Sequence, residues 1–502
     1  MEFTHRLRAP AIGFFRRLSY APRDMSVIST WLKHWDAARP EEIGGETAAR
    51  EKTMRLAILE GCGWSVMVAC GESFFSAFAI FLKAGNLAIA IISSAQPLLA
   101  AIAQLLGARA IETFRQRRRF LHLVHTAQGL AYALLFLIPF LLPAAVAAPG
   151  AVACALLAMF LGGLGIAVWT SLMGDVVPEA RRGDYFGQRY RAIFLTQALA
   201  TLGGGLLLSG FSSLGWVWAG FGILFGIAGG ARFFAAQLFP MHYEPDYRPD
   251  VKTNFSFWEF LRGTPRSNFA RFTFYAAFMN FGANISAPFF AVYMLRNLQW
   301  TYTQYTLNAI TMLIAQVVFF RWWGRVGDRH GNRSVLIATS CVLPILPVLW
   351  ACTGNFWLLL GAQIISGATW SGYNLATQNF ILDAVTPQKR ARVLSYFNLI
   401  NGVLVFTGGT LVGAWLADHL PSTYRLGPLH VAFVSSLPAV FIISGLVRLC
   451  VLLLMAPTFR EVRNHEPIYP GTLLLRQWSG EAITGTLLEV VTRITNLRKN
   501  KP

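Results

Sequence analysis

Glu72 has the clearest capacity for chemistry, because it is a carboxyl group inside a long apolar stretch, and we regard it as the only acidic residue so deep in one. Ser65, Glu72 and Ser76 share one helical face, whereas Trp64 lies elsewhere, so the pattern turns Glu72 inward. A carboxylate there is costly unless it is paired or hydrated, and its proton affinity changes with its surroundings. Glu72 is therefore the candidate for binding a proton or a cation. Two alternatives stay open: a neutral glutamic acid that bonds to Gln96 or another inward amide for packing, and a carboxylate that binds a cationic substrate group.

Other polar side chains interrupt the apolar stretches at helical spacing. Hydrocarbon offers such groups no hydrogen bonds, so a cluster of them indicates a water-filled cavity. Each amide alone could instead hold two helices together, at about 0.5 to 2 kcal/mol. The candidates for lining a cavity are Gln96, Gln197, Asn280, Asn284, Asn308, Trp370, Tyr373 and Asn374.

Composition places these residues in a membrane protein. The chain is 55% hydrophobic and only 13% charged, against about 25% charged residues in soluble domains. The net charge of +19 does not indicate nucleic-acid binding, because the basic residues lie in short loops between apolar stretches. The six cysteines lie in or beside apolar stretches without paired short spacings, so we expect neither disulfides nor a metal site.

Twelve apolar stretches are close to the roughly 20 residues that cross a bilayer. The linker between the sixth and seventh contains aromatic residues typical of a surface helix. The predicted spans are 56–82, 86–106, 120–142, 149–174, 189–210 and 214–239, then 270–295, 303–323, 333–352, 355–379, 392–417 and 429–456.

Lysine and arginine concentrate in alternate loops and at the two ends of the chain. The opposite loops hold only Lys83, Arg296 and Arg425. Because basic loops stay cytoplasmic, we expect both termini in the cytoplasm. An odd number of spans would put the termini on opposite sides, so this charge asymmetry also supports twelve.

The two sets of six spans resemble each other. The fourth and tenth spans end in Asp175 and Asp383, each followed by a proline and basic residues. The sixth and twelfth each carry a glycine three residues before a lone arginine, Arg232 and Arg448. We therefore expect a duplicated six-helix unit with the two arginines at equivalent positions. Their suggested partners are Asp175 and Asp383.

The stretch from Gly324 to Arg333, between the eighth and ninth spans, is rich in glycine and arginine. Glycine permits positive φ, Asp328 can cap a helix start, and the arginines exclude the bilayer interior, so we expect a tight turn at the membrane surface. Glycine, then Asp328-Arg329 four residues on, then Gly331 and a basic residue resembles the signature between the second and third helices of a half in the major facilitator superfamily. An ordinary basic loop is the alternative.

The first half departs from that pattern. Its corresponding loop has Ile111 where the resemblance requires an aspartate, and Glu112 follows as a possible substitute. We therefore expect the second copy to carry most of the gate. By the resemblance, that cytoplasmic gate comprises Gly324, Asp328, Arg329, Gly331 and Arg333, with Asp328 meeting the start of the fifth span near Arg189 and Arg191.

The resemblance implies an all-α membrane protein with twelve helices in two pseudo-symmetric bundles. We expect it to move a small solute by alternating access, with Glu72 coupling transport to protons or another cation, and with no enzymatic activity. The resemblance adds Trp169 to the cavity, because the first, fourth, seventh and tenth spans line it in that family. The alternative is a polytopic protein that transports nothing, such as a membrane-embedded transferase or a receptor scaffold.

Further expectations concern organisation and partners. We expect a monomer in a bacterial inner membrane, with no cofactor, no metal, no nucleic acid, and a small-molecule substrate of unknown class. The expected regions are an N-terminal extension (1–55), a first bundle (56–239), a linker (240–269), a second bundle (270–456) and a tail (457–502).

Overall fold

The computed structural model describes residues 45–114, 116–141, 143–178, 181–245, 267–385, 387–426 and 429–462. Most of the predicted extension, linker and tail lies outside the described residues, and so do the side chains of Ile111 and Glu112. Eleven helices in the described part are long and apolar enough to cross a membrane. The tenth predicted span is also a 29-residue helix, and its lower hydropathy results from the polar side formed by residues such as Gln363 and Asn374.

The first half consists of six helical spans. Its second span contains Pro97 within an otherwise continuous helix. The bounds are Glu46–Cys70 continued by Phe75–Phe81, Asn86–Phe114, Arg117–Leu141, Ala144–Val176, Arg182–Ser213 and Val217–Leu238.

The second half repeats this order. Side chains cap several of its helices: Thr301 and Gln304 form a capping box, and Asn355 accepts from the N–H groups of Trp357 and Leu358. The bounds are Asn268–Val292 with a π-helical end Tyr293–Asn297, Tyr302–His330, Asn332–Val342 with Ile345–Cys352, Phe356–Ala384, Pro387–Phe406 with the π-helical Thr407–Gly413 and Ala414–His419, and Leu437–Met455.

Three predicted boundaries were wrong. The first helix begins at Glu46, ten residues before the predicted span, because its polar first turns, which include an Arg50–Glu46 ion pair, carry no hydropathy signal. The predicted turn at residues 324–333 is mostly helix: the eighth span continues to His330, and Gly331 alone adopts positive φ, at 85°. Before the twelfth span, strands β1 (Thr423–Leu426) and β2 (Leu429–Ala432) form an antiparallel hairpin with Thr423 opposite Ala432.

The expected duplication is confirmed by matched contacts. Gly229 and Gly445 pack against backbone carbonyls of the third and ninth spans, since a Cβ on either would lie 3.0 Å from Gly129 O or 2.6 Å from Pro344 O. Each sixth helix is followed by a glutamate whose carboxylate accepts from an N–H group in the first turn of the third or ninth span. These bonds join Glu244 to Arg117 N and Glu461 to Arg333 N, both at 2.7 Å.

The halves meet through the second and eleventh spans and through the fifth and eighth. The joining hydrogen bonds are Asn86–Asp418 at 2.7 Å, Ser94–Thr410 at 2.7 Å, and Thr303–Ser209 at 2.8 Å. We call the side at which Gly331 joins the eighth and ninth spans the motif side, and the opposite side the far side. Asn86 begins the second span, and Ser209 and Asp418 lie near the ends of theirs, so these bonds lie toward the far side.

Candidate substrate cavities and coupling site

A cavity of about 350 Å³ lies inside the first half, and we call it the first cavity. Two carboxyl groups and two guanidinium groups face it, together with aromatic and amide side chains from several spans. Its lining includes Glu60, Trp64, Glu72, Gln96, His125, Gln128, Trp169, Arg189 and Arg232. It therefore gathers three predicted residues, Glu72, Gln96 and Trp169, around charges that the sequence did not lead us to expect.

Glu60 is the carboxylate that pairs with both guanidinium groups of this cavity. It is 3% exposed, and its two carboxylate oxygens lie 3.3 Å from Arg232 Nη1 and 3.4 Å from Arg189 Nη2. Arg232 Nε also donates to Gln128 Oε1 at 2.7 Å. Such a buried network is stable only while each charge keeps its partner.

Glu60 is the functional candidate that the sequence reasoning missed. The expectation that Glu72 alone is a deep acidic residue was wrong, because the first helix begins at Glu46 and Glu60 is its fifteenth residue. The suggested pairing of Arg232 with Asp175 was also wrong. A helix begun earlier would have placed Glu60 deep in the span instead of near its predicted start, and the lone Arg232 was the signal that a carboxylate was needed.

Glu72 lies where the first span is interrupted. Gly71 leaves the helical conformation, at φ −104° and ψ −83°, and residues Glu72–Phe74 form a single 3-10 turn before the helix resumes. A Cβ on residue 71 would lie 2.7 Å from Met67 O and against the Tyr132 ring, so only glycine fits. Glu72 Oε2 accepts from Gln96 Nε2 at 3.1 Å. The break thus presents a titratable carboxyl group to the cavity.

Trp169 lies against one of the two guanidinium groups of the first cavity. The Arg189 guanidinium carbon is 4.1 Å from the centroid of the Trp169 ring, a cation–π distance that contributes about 0.5 to 2 kcal/mol. Arg189 Nε donates to Ala57 O at 3.2 Å. Arg189 is therefore directed into the first half rather than toward the gate.

A second cavity, of about 450 Å³, is lined by residues of the second half and by Pro97 of the second span. Amides dominate its polar lining, and Asn280 Nδ2 donates to Asn401 Oδ1 at 2.7 Å across it. It gathers four of the predicted residues and one predicted structural residue. These are Asn280, Asn284, Trp370, Asn374 and Arg448.

The other predicted cavity residues have different places. Gln197 lines a third cavity of about 200 Å³ between the halves. Asn308 is 1% exposed and accepts from Gln363 Nε2 at 2.6 Å. Tyr373 is equally buried and donates to Ala276 O at 3.3 Å. These contacts make Asn308 and Tyr373 packing residues in this conformation.

The predicted gate residues divide into two groups. Arg333 donates to the carbonyls of Phe459 at 2.9 Å and Ala456 at 3.3 Å, so it fastens the end of the twelfth span to the ninth. Asp328 and Arg329 are exposed on the motif side, on the last helical turn of the eighth span. Gly324 and Gly331 lie within and just after that helix.

Asp175 and Asp383 each form a hydrogen bond to a residue at the start of a neighbouring helix. Asp175 accepts from Arg117 Nη1 at 2.5 Å, and Asp383 accepts from Asn332 Nδ2 at 2.9 Å. Arg117 and Asn332 begin the third and ninth spans, so each aspartate ties the end of the fourth or tenth span to the start of the preceding one. Their structural role fits the duplication, but their expected pairing with Arg232 and Arg448 was wrong.

Comparisons with known proteins find one similar family and a similar fold. The model of the Major Facilitator Superfamily matches residues 272–491. The crystal structure of a mutant of the nucleoside transporter NupG superposes over 82% of this chain and 100% of its own, with a TM-score of 0.61 at 13% identity. Residues 272–491, somewhat less than half of the chain, are thus similar to the major facilitator superfamily. Because 82% of the chain superposes, both bundles share the fold of that transporter.

Curated relatives of this chain match over short stretches. The vacuolar membrane amino acid uptake transporter fnx2 of Schizosaccharomyces pombe is 26% identical over 126 residues, or 25% of this chain and 21% of that protein. The multidrug resistance protein MdtG of Proteus mirabilis is 32% identical over 104 residues, or 21% of this chain and 26% of that protein. The alignments thus span about a fifth to a quarter of the relatives' length.

Proposed function

We propose that this integral membrane protein is a secondary active transporter that moves a small solute by alternating access. The observation that carries the proposal is the pairing of two half-molecules of the same fold, each with its own polar cavity, across a shared interface. Two like halves that rock about such a centre expose it first to one side of the membrane and then to the other. The family and the transporter fold of NupG support the same conclusion.

The hydrogen bonds between the halves support one particular state of that cycle. Asn86–Asp418, Ser94–Thr410 and Thr303–Ser209 hold the far side together. Asp328 and Arg329 are exposed on the motif side. If the motif side faces the cytoplasm, as the basic loops predict, the molecule is closed outward and open inward.

We propose that Glu72 couples transport to a proton gradient. It lies at an interruption of the first helix, its carboxylate accepts from Gln96, and it lines the first cavity beside the Glu60 pairs. Glu60 already faces both Arg189 and Arg232 at short distance, whereas Glu72 has an amide partner. Glu72 is thus the carboxyl group that can take up and release a proton as the cavity changes its access to water.

The remaining parts of the proposal concern the setting. Both termini are cytoplasmic, the membrane is a bacterial inner membrane, and the protein acts as a monomer without cofactor or enzymatic activity. Among the described residues no group of three His, Cys, Asp or Glu side chains is placed to hold a metal ion.

The test is transport by purified protein in liposomes, with a panel of radiolabelled sugars, nucleosides, amino acids, peptides and drugs. A solute that the wild type accumulates under a pH gradient should no longer accumulate in Glu72→Gln, although exchange of that solute continues. Glu72→Asp keeps a titratable group and should restore part of the accumulation. Normal accumulation by Glu72→Gln would refute coupling at Glu72, and no uptake or exchange of any solute would refute transport itself.

A further inference from the structure

We propose that the second cavity binds an anionic group of the transported solute at Arg448. The inference rests on the proposed transport function, because it names the chemical class that the cavity accepts. It concerns a carboxylate, sulfonate or phosphate group carried by a small polar molecule.

Arg448 is a buried cation whose partners are all neutral. It is 3% exposed, and its Nη atoms donate to Leu343 O at 2.8 Å and Ala283 O at 3.3 Å, and to the hydroxyls of Ser286 at 3.0 Å and Ser444 at 3.1 Å. Its Nε has no partner among the described residues. A guanidinium this far from water normally requires an opposite charge, so its charge is available to a ligand.

The duplicated half gives the matched case. Arg232 occupies the equivalent position, with the same burial, and its Nη1 lies 3.3 Å from the carboxylate of Glu60. Both arginines bridge corresponding helices, Arg232 from the sixth span to the first and third, and Arg448 from the twelfth to the seventh and ninth. One copy of the repeat therefore supplies a counter-ion within the protein, whereas the described residues of the other copy supply none.

The rest of the second cavity fits an anion better than a cation. Its lining includes no carboxylate among the described residues, so Arg448 gives it a net positive charge. Amide N–H groups are hydrogen-bond donors to anionic oxygens, and two tryptophans offer apolar faces to the body of the solute. The donors and rings are Asn280, Asn284, Gln363, Asn374, Asn401, Trp350 and Trp370.

A purely structural role for Arg448 makes a different prediction. Leu343 follows the helix Asn332–Val342, so its carbonyl belongs to the partly negative end of that helix. If that end were the whole counter-charge, the cavity would be electrically neutral to a small probe. The cavity potential therefore distinguishes the two roles.

The experiment measures that potential with charged thiol reagents. Asn284→Cys, in the second cavity, and Gln96→Cys, in the first, are introduced separately into a chain whose six native cysteines are replaced. Each reacts with 2-sulfonatoethyl methanethiosulfonate and with its trimethylammonium analogue, and the rate ratio is normalised to free cysteine. We expect the ratio of anionic to cationic reagent to be about tenfold higher at Asn284→Cys than at Gln96→Cys.

The arginine variants assign the effect. Arg448→Gln should lower the ratio at Asn284→Cys about tenfold, Arg448→Lys should keep most of it, and the matched control Arg232→Gln should change it by less than about twofold. An unchanged ratio in Arg448→Gln would overturn the inference. Should Arg448→Gln not fold, equal ratios at Asn284→Cys and Gln96→Cys in the otherwise unaltered chain would overturn it as well.

The reagent ratio does not depend on transport, so the two proposals fail separately. A protein that transports nothing from the solute panel but keeps the anionic preference contradicts the transport function only. A protein that accumulates a solute but lacks the preference contradicts the anion site only.

Discussion

Glu60→Gln should destabilise the protein more than the removal of any single charge at the surface or at a helix end. Glu60 is 3% exposed and faces two guanidiniums, Arg232 at 3.3 Å and Arg189 at 3.4 Å. Removing one partner of a buried pair costs about 3 to 5 kcal/mol, since the other charge stays buried. Because both distances exceed the 2.7 to 2.9 Å of a tight charge-assisted bond, we expect the lower end, about 3 kcal/mol.

The measurement is thermal unfolding in detergent, monitored by fluorescence-detected gel filtration. Each kcal/mol moves Tm by roughly 2 to 4 °C in domains of 150 to 250 residues, so Glu60→Gln, at about 3 kcal/mol, should lower Tm by about 6 to 12 °C. Glu51→Gln is the matched control: Glu51 pairs with Arg181 at the surface, with side chains 37% and 55% exposed. It should change stability by about 0 to 1 kcal/mol.

A double-mutant cycle completes the test. Adding Arg189→Gln to Glu60→Gln should recover part of the loss, because the double variant leaves one uncompensated guanidinium instead of two. Equal Tm values for Glu60→Gln and Glu51→Gln would refute the assignment of Glu60 as the counter-ion. Strict additivity of the two changes would refute the direct pairing of Glu60 with Arg189.

Three other predictions test the duplication and the gate. Gly445→Ala should destabilise the protein by about 1 to 3 kcal/mol, because the new Cβ would lie 2.6 Å from Pro344 O. The control Gly230→Ala places its Cβ in open space and should be neutral or slightly stabilising. Equal Tm values for the two variants would contradict the close packing. Glu461→Gln should cost about 1 kcal/mol by weakening the acceptor at the start of the ninth span, and unchanged thermal unfolding would count against that role. Asp328→Asn should weaken the outward-facing state and slow transport with little effect on Tm, seen as faster labelling of Gln96→Cys from the motif side, and unchanged labelling would remove Asp328 from the gate.

Apolar length made the spans predictable, and chemical similarity between helix ends made the duplication predictable. Both signals are local, so one sequence contains them. The contact between Glu72 and Gln96 was among the open alternatives, because inward faces of neighbouring spans at similar depth have few other polar partners. Hydropathy could not separate the apolar start of β2 from the start of a helix, which is why the hairpin was missed.

The ion pairs were less predictable because they join residues far apart in the chain. Glu60 and Arg232 are 172 positions apart, and Arg333 and Glu461 are 128 apart. Asp175 was assigned to Arg232 on the assumption that both lie near helix ends. Instead, Arg117, which begins the third span, forms the ion pair with Asp175. Tyr373 shares a helical face with Trp370, yet it packs against the seventh span, because a broad polar face contacts neighbouring helices as well as the cavity.

Alternating access is tested most directly by two distances measured in the same protein by double electron–electron resonance. One spin-label pair, Arg191→Cys with Arg329→Cys, spans the motif-side ends of the fifth and eighth helices, and the other, Ser213→Cys with Gln299→Cys, spans their far-side ends. We predict that lowering the pH or adding a transported solute shortens one distance and lengthens the other. Both changes should occur in the same fraction of the molecules. Two fixed distances, or two distances that change in the same direction, would contradict alternating access.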